Sequence, residues 1–345
     1  MLGGILLVGA VVLALSNLGP HKVLKALGEA HLEWVALALA LMTLAFLMRA
    51  ISWHEVLRAA LPDTPMPWMP VIRAAMIGVM GSAIFPGRLG EPARVLVLSR
   101  RLPGAAGVLV PVLAGTLLSQ TLMNLLALAI LAVITFSSVS IFHGHEWAVA
   151  VGSIVALVLL AIVALGPRLL AMGRRSRRER VAQIATRVAQ LLALARGGLS
   201  VFARPRHAIP AVLAQLSAWA LQWLACYAVL VALSLESKAG LIGAAAVLLA
   251  VNVTAVLPPT PSNVGVFQAA CLVVLTAFGV SPASALAYGF LLQAVELVTA
   301  LALGMPALVG EGMTWRDVRR AVEEEQAREQ EEARAAERRL SPDRP

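Results

Sequence analysis

Residues 239–295 contain no lysine, arginine, aspartate or glutamate. A water-soluble domain does not sustain such a stretch, because about a quarter of its residues are normally charged. Charged residues make up only 14% of this chain, whereas hydrophobic residues make up 59%. The sequence therefore predicts an all-α polytopic membrane protein, since helices satisfy their own backbone hydrogen bonds inside a bilayer.

Full membrane crossings need about 20 apolar residues each. The chain contains six runs that meet this requirement: 2–19, 32–51, 106–136, 147–166, 208–233 and 284–304. No lysine or arginine precedes the first run, which favours a retained helix over a cleaved signal peptide.

Two other apolar stretches are interrupted by proline and glycine. "GSAIFPGRLGEPAR" (81–94) separates the apolar pieces 70–85 and 95–99, and "LPPTPSN" (257–263) divides the first part of 239–295. The resulting pieces are short or marginal as full spans. This pattern predicts two re-entrant helical hairpins, whose non-helical tips lie within the protein rather than against lipid.

The two interruptions also resemble each other. Pro86-Gly87-Arg88-Leu89-Gly90 and Pro261-Ser262-Asn263-Val264-Gly265 share the pattern P-x-x-[LV]-G. Each follows an apolar helix with small residues and precedes more apolar sequence and a full span. An internal repeat with halves 32–136 and 208–304 is favoured over a chance match. Pro86, Gly90, Pro261 and Gly265 are then the structural breaks.

Charge placement orients the chain. Segment 168–206 has ten arginines and one acidic residue, so we expect a cytoplasmic linker, with a surface helix over 178–200. Counting spans from it places both termini in the cytoplasm of a plasma or inner-membrane protein. The first hairpin then enters from inside and the second from outside, which is an inverted repeat with a site near the midplane. Residues 311–345 form a charged cytoplasmic tail.

The first interruption carries the candidate anion site. Arg88 and Arg94 have forked donors suited to phosphate, and Arg73 could join them from the preceding half-helix. Glu91 has three alternative roles: pairing with an arginine, binding a cationic head group, or carrying a proton. The competing interpretation is that these charges simply lie at the membrane interface.

The second interruption is neutral and polar. Ser262 and Asn263 offer hydrogen bonds, and Glu296 in the last span is the only charge between Lys238 and Glu311. A lone carboxylate at this depth indicates a functional site, with a polar contact between helices as the alternative. Gln120 and Asn124 are interpreted as packing contacts.

These motifs resemble a known family. "IFPGRLGEPARVLVLSRR" (84–101) is similar to the P-x-R-x-G-E-x-x-R signature of the lysylphosphatidylglycerol synthase transmembrane region, also called flippase-like. "LPPTPSNVGVFQAA" (257–270) resembles its second signature, and Arg49 with Trp53 its R-x-x-x-W element. The resemblance covers about residues 1–310 and implies translocation of aminoacylated phospholipids or polyprenyl-linked lipids. We expect a stand-alone member, without the soluble synthase domain that bifunctional members carry. Val266-Phe267-Gln268 stands where the family's second signature usually has an acidic or aromatic-acidic pair. Gln293 stands where members often have an arginine in the last span.

The function we expect is that of a lipid transporter that moves an anionic or aminoacylated lipid between leaflets. Two alternatives stay open: a membrane enzyme or accessory subunit acting on lipid-linked glycans, for which His54 and Glu55 are the candidates, and a regulatory membrane protein without transport. The chain shows no nucleophile elbow, phosphate-binding loop or zinc signature. We expect no cofactor, no metal and no nucleic acid, membrane lipids as partners, and leave a homo-oligomer open.

Overall fold

The computed structural model describes residues 20–84, 90–103, 106–138, 200–255, 265–317 and 319–320. Every regular element in these ranges is a helix. In chain order they are α1 (Pro20–Gly28), α2 (Leu32–Ala60), α3 (Trp68–Ile84), α4 (Gly90–Ser99), α5 (Ala106–Ser138), a 3-10 turn (Ser200–Ala203), α6 (Pro205–Ala232), α7 (Glu236–Thr254), α8 (Val266–Ala277) and α9 (Pro282–Gly310).

Five of the described helices are long and apolar enough to cross a membrane. Four of them coincide with predicted spans: Leu32–Ala60, Val112–Ser137, Pro205–Ala232 and Pro282–Gly310. The fifth, Glu236–Thr254, is the first arm of the predicted second hairpin. The all-helical, multi-span prediction is confirmed. The predicted spans 2–19 and 147–166 lie outside the described residues.

The helices around the two interruptions are shorter. Helix α3 has 17 residues and α4 has 10, so at 1.5 Å per residue they are about 25 Å and 15 Å long. Helix α8 has 12 residues, about 18 Å. Helix α7 contains a non-helical Gly240 with φ 56° and ψ −163°, so its regular part begins beyond that residue. Neither α4 nor α8 alone reaches across a hydrocarbon core about 30 Å thick.

The centre of the molecule is the antiparallel pair formed by α2 and α6. Their opposite ends are joined by hydrogen bonds: His31 N donates to the Ala232 oxygen at 2.9 Å, and Arg204 Nη1 donates to the Ala59 oxygen at 3.0 Å. The pair therefore runs in contact over its full length. Its core is lined by small residues, among them Ala38, Ala45, Ala50, Ala218 and Ala225.

The remaining helices pack in pairs that correspond between the two halves. Helix α3 packs on α9, and its counterpart α7 packs on α5. Helix α3 also pairs with α4, as α7 does with α8. Each half thus consists of a long helix, an interrupted pair of helices and a second long helix. Each interrupted pair packs against the last helix of the other half. This arrangement brings side chains from both halves to the middle of the α2–α6 pair.

Candidate functional site

Arg49 lies near the midpoint of α2 and points into the α2–α6 contact. Its Nη2 donates to Gln222 Oε1 at 2.6 Å. Its guanidinium carbon lies 5.9 Å from the centre of the Trp219 ring, which allows a cation–π contact. The side chain of Gln120, on α5, donates to the Arg49 backbone oxygen at 3.3 Å. A cation is therefore held at the centre of the helix bundle by side chains of the other half and by α5.

Gln222 connects this cation to the only carboxylate of the last span. Because its Oε1 accepts from Arg49, its amide nitrogen is the group left to interact with the Glu296 carboxylate. Glu296 stands at the midpoint of α9 (Pro282–Gly310) and is partly buried. The predicted site residue and the missed arginine are thus opposite ends of one polar chain across three helices.

Arg94 approaches from α4 and lies over the face of Trp53, with its guanidinium carbon 4.8 Å from the ring centre. Trp53 is fully buried and fixed in place, because its Nε1 donates to Thr116 Oγ1 at 2.9 Å. Only 14% of the Arg94 side chain is exposed. Arg94 is therefore mostly buried, and Trp53, the residue that it covers, follows Arg49 by about one turn of α2.

Glu91 accepts a hydrogen bond from Arg94 Nη2, three positions away on α4. Of the three roles considered for Glu91, pairing with an arginine is the one that this geometry contains. The Glu91 side chain is 46% exposed, so the pair has one buried and one accessible end.

Both arginines retain unused donors. Among the described residues, neither Arg49 Nε nor Arg94 Nε has a hydrogen-bond partner, although both atoms are buried. An unmet buried N–H is costly, and charged donors pay the most. Two such donors on neighbouring guanidinium groups suit a ligand with anionic oxygens.

Small residues set the position of Arg94. A Cβ added to Gly90 would lie 1.9 Å from the Gly78 oxygen and 2.4 Å from Ser82 Oγ. Helices α3 and α4 therefore touch through their backbones, and this close approach fixes α4 against the bundle. Gly90, predicted as a structural break, is the first residue of α4.

The second interruption is arranged similarly but without charge. Gly265, with φ 90°, precedes the first residue of α8, and its N–H donates to Gln268 Oε1 at 2.7 Å. The positive φ explains the glycine, since side chains disfavour that conformation. Gln268 in turn donates to Gln293 of α9. Gln268 and Gln293, two positions at which this sequence departs from the family's pattern, therefore form a neutral amide pair.

Several predicted site residues lie outside the described residues: Pro86, Arg88, Pro261, Ser262 and Asn263. Arg73 is described, and the partners of its guanidinium group lie at the end of α9 and just after it. Its Nη1 donates to the Gly310 oxygen at 3.0 Å and approaches Glu311 Oε1 at 3.5 Å. The described candidate site therefore consists of Glu91, Arg94 and Glu296 from the predicted set, joined by Arg49 and Gln222.

A comparison with known protein families shows to which family the chain belongs. The family described as lysylphosphatidylglycerol synthase TM region matches residues 1–304. The chain belongs to this family. No curated protein and no solved structure gives a significant match. As a member of the lysylphosphatidylglycerol synthase transmembrane-region family with several apolar helices, it is a multi-pass membrane protein.

For this family member, the candidates for enzymatic chemistry form structural contacts. Glu55 Oε2 lies 2.8 Å from His207 Nδ1, and Arg58 donates to Oε1 at 3.3 Å. His54 stacks on Trp68 with the ring centres 3.6 Å apart. These contacts tie α2 to α6 and to the start of α3. In the described residues, no three histidine, cysteine or acidic side chains lie together as a metal site.

Sequence reasoning placed Arg49 in a family element but did not include it, Trp53 or Gln222 among the site residues. Polar residues at the midpoint of an apolar span are costly, so Gln222 is noticeable in the sequence, but the same signal marks packing contacts such as Gln215. Asn124 accepts hydrogen bonds from Gln215 at 2.6 Å and Trp219 at 3.0 Å. Its prediction as a packing contact between helices is confirmed.

Proposed function

We propose that this protein moves a lipid with an anionic head group between the two leaflets of a membrane. The observation that carries the proposal is the pair of buried guanidinium groups, Arg49 and Arg94, each over a tryptophan ring and each with an unpartnered Nε. The family match supports a role in lipid metabolism or transport.

The depth of the polar cluster supports translocation rather than surface binding. Arg49, Gln222 and Glu296 all lie within about one turn of the midpoints of helices long enough to span a bilayer. A charge at that depth costs about 3 kcal/mol on insertion scales and normally faces a cavity or a partner. A phosphate passing this level would replace part of the hydration it loses with guanidinium donors.

The symmetry of the fold supports an alternating mechanism. Helices α2 and α6 open the two proposed repeat halves and run antiparallel, which is the relationship expected of an inverted repeat. The short helices α4 and α8 are compatible with re-entrant hairpins, the predicted arrangement. In this proposal the two halves rock about the α2–α6 contact and expose the arginines to each leaflet in turn.

Glu296 supplies the balancing charge in the empty site. Its negative charge offsets that of Arg49 before a lipid arrives, and the head-group phosphate then takes over that role. A carboxylate here also accepts the ammonium group of an aminoacylated or zwitterionic head. The lipid leaves with the same covalent bonds with which it entered, which separates this proposal from the enzymatic alternative.

Reconstitution into liposomes with labelled phosphatidylglycerol tests the proposal. We expect leaflet exchange with the unaltered chain and at least tenfold slower exchange with Arg49→Ala or Arg94→Ala. Arg58→Ala is the matched control, because it removes a half-exposed cation from the same helix as Arg49 and should leave exchange unchanged. Equal exchange rates in all four proteins, or a lipid of altered mass, would overturn the proposal.

A further inference from the structure

The chain beyond α9 turns back onto the α3–α4 pair. Glu311 accepts from Arg101 Nε at 2.6 Å and lies 3.5 Å from Arg73 Nη1. Arg101 Nη2 also donates to the Glu311 backbone oxygen at 3.3 Å. The carboxylate side chain is only 3% exposed, so two arginines from the α3–α4 unit anchor the start of this segment.

Four residues later, Trp315 reaches the contact between α3 and α4. A Cβ added to Gly81 would lie 2.7 Å from the Trp315 ring and 3.0 Å from the Gly90 Cα atom. The indole therefore lies at the first residue of α4, next to Glu91 and about one turn from Arg94. Trp315 and Met313 pack against the main hydrophobic core.

The segment has its own local structure, which holds the indole in place. Gly312 has φ 66°, which makes the turn out of α9 possible. Thr314 N and Oγ1 donate to Asp317 Oδ2 at 2.8 Å and 2.6 Å, as in a helix-capping arrangement. These hydrogen bonds hold the pKa of the Asp317 carboxyl below its usual value, so the cap keeps its ionised acceptor to a lower pH than a free aspartate would.

We propose that the segment Glu311–Asp317 is a latch that closes the cleft between α3 and α4 beside Glu91 and Arg94. When Glu311 is held by Arg73 and Arg101, the Trp315 ring fills the cleft that two glycines leave open. When that anchor is released, the indole withdraws and the buried side of Arg94 becomes accessible. The effect of the latch on lipid movement depends on the proposed function, whereas the closure itself does not.

A single reporter cysteine tests the closure. Arg94→Cys places a thiol at the mostly buried position, and the two native cysteines, Cys226 and Cys271, are buried and give a low background. In full-length protein reconstituted in liposomes, we expect a water-soluble methanethiosulfonate to label the reporter at least fivefold faster after Trp315→Ala or Glu311→Gln. Trp315→Phe keeps an aromatic ring and should label slowly.

Arg316→Ala is the matched control, since it alters the neighbouring exposed residue and should not change the labelling rate. Equal labelling with and without the Trp315 ring would overturn the latch. Lipid exchange by the same variants in an Arg94-containing chain separates the two proposals. Faster labelling with no exchange in any protein supports the latch and contradicts transport. Lipid exchange without any change in labelling supports transport and contradicts the latch.

Discussion

Gln222 is the residue on which the polar chain at the centre depends. It accepts from Arg49 and presents its amide nitrogen to Glu296, so one neutral side chain lies between two opposite charges. No local motif marks this glutamine, because its partners lie on helices distant in sequence. The charge of Glu296 could be recognised from sequence since it stands alone in an apolar span, whereas a neutral amide at mid-helix looks like many packing contacts.

Replacement of Gln222 by leucine should separate the two charges and leave both without their neutral partner. We expect Gln222→Leu to lower the free energy of unfolding by about 2 kcal/mol, since buried groups bonded to charges are costly to leave unpaired. The same variant should slow leaflet exchange at least tenfold. Thermal unfolding in detergent and liposome exchange measure the two effects.

Gln215→Leu is the control for this prediction, because it removes a neutral hydrogen bond to Asn124 about two turns earlier on the same helix. It should lower stability by a similar amount without slowing exchange per folded molecule. Slower exchange in both variants would show that helix packing, and not the Arg49–Glu296 connection, is what Gln222 contributes.

At the level of elements, the sequence predicted more of the helices than of their contacts. Hydropathy and length identified the four long spans that fall in the described residues, because each apolar run is long enough to show without partners. The proline and glycine motifs predicted that helices would be interrupted near 86 and 261, and the described helices do end at Ile84 and Thr254. The backbone contact of α3 with α4 depends on tertiary packing, which no local pattern contains.

Gly90→Ala tests that backbone contact. The added methyl group would lie 1.9 Å from the Gly78 oxygen, so α3 and α4 must separate. We expect a loss of about 3 kcal/mol in unfolding free energy, as for an overpacked core, together with faster proteolysis of the pair. Gly28→Ala is the control, since nothing lies within 4 Å of its added Cβ. Equal stability of the two variants would contradict the close approach.

Substitution of Glu55 tests how much its contact with His207 contributes to holding α2 against α6. This residue is buried between His207 and Arg58, so Glu55→Gln removes the negative charge that both groups face. We expect a loss of about 2 kcal/mol in unfolding free energy, because a neutral amide weakens the hydrogen bonds that the buried carboxylate makes to Arg58 and His207. Glu33→Gln, on the exposed start of the same helix, should have no effect. Unchanged stability with loss of a lipid-modifying activity would instead favour the enzymatic alternative.

For the whole molecule, the decisive question is the orientation of the two halves. The antiparallel contact of α2 with α6, and the matching pairs α3–α9 and α7–α5, fit two halves inserted in opposite directions. Sequence predicted this from the arginine-rich linker and the parity of spans. Residue pairing across the halves could not be predicted, because it joins positions such as 49 and 222 that share no local signal.

Cysteine labelling in sealed vesicles tests the orientation. Asp63 follows α2, and Lys238 lies at the start of α7, next to the opposite end of the α2–α6 pair; both are exposed. We expect Asp63→Cys to react only from the cytoplasmic side and Lys238→Cys only from the outer side. Glu29→Cys should be labelled from the same side as Lys238→Cys. Labelling of positions 63 and 238 from the same side would contradict the inverted arrangement.

Whether Arg49 and Arg94 bind an anionic head group is tested by measuring which lipid the purified protein retains. Mass spectrometry after solubilisation from membranes containing equal phosphatidylglycerol and diacylglycerol compares an anionic head group with an uncharged one on similar chains. We expect selective retention of phosphatidylglycerol by the unaltered chain and its loss in the Arg49→Ala, Arg94→Ala double variant, with Arg58→Ala unchanged. Equal retention of both lipids, or the same selectivity in the double variant, would contradict this expectation.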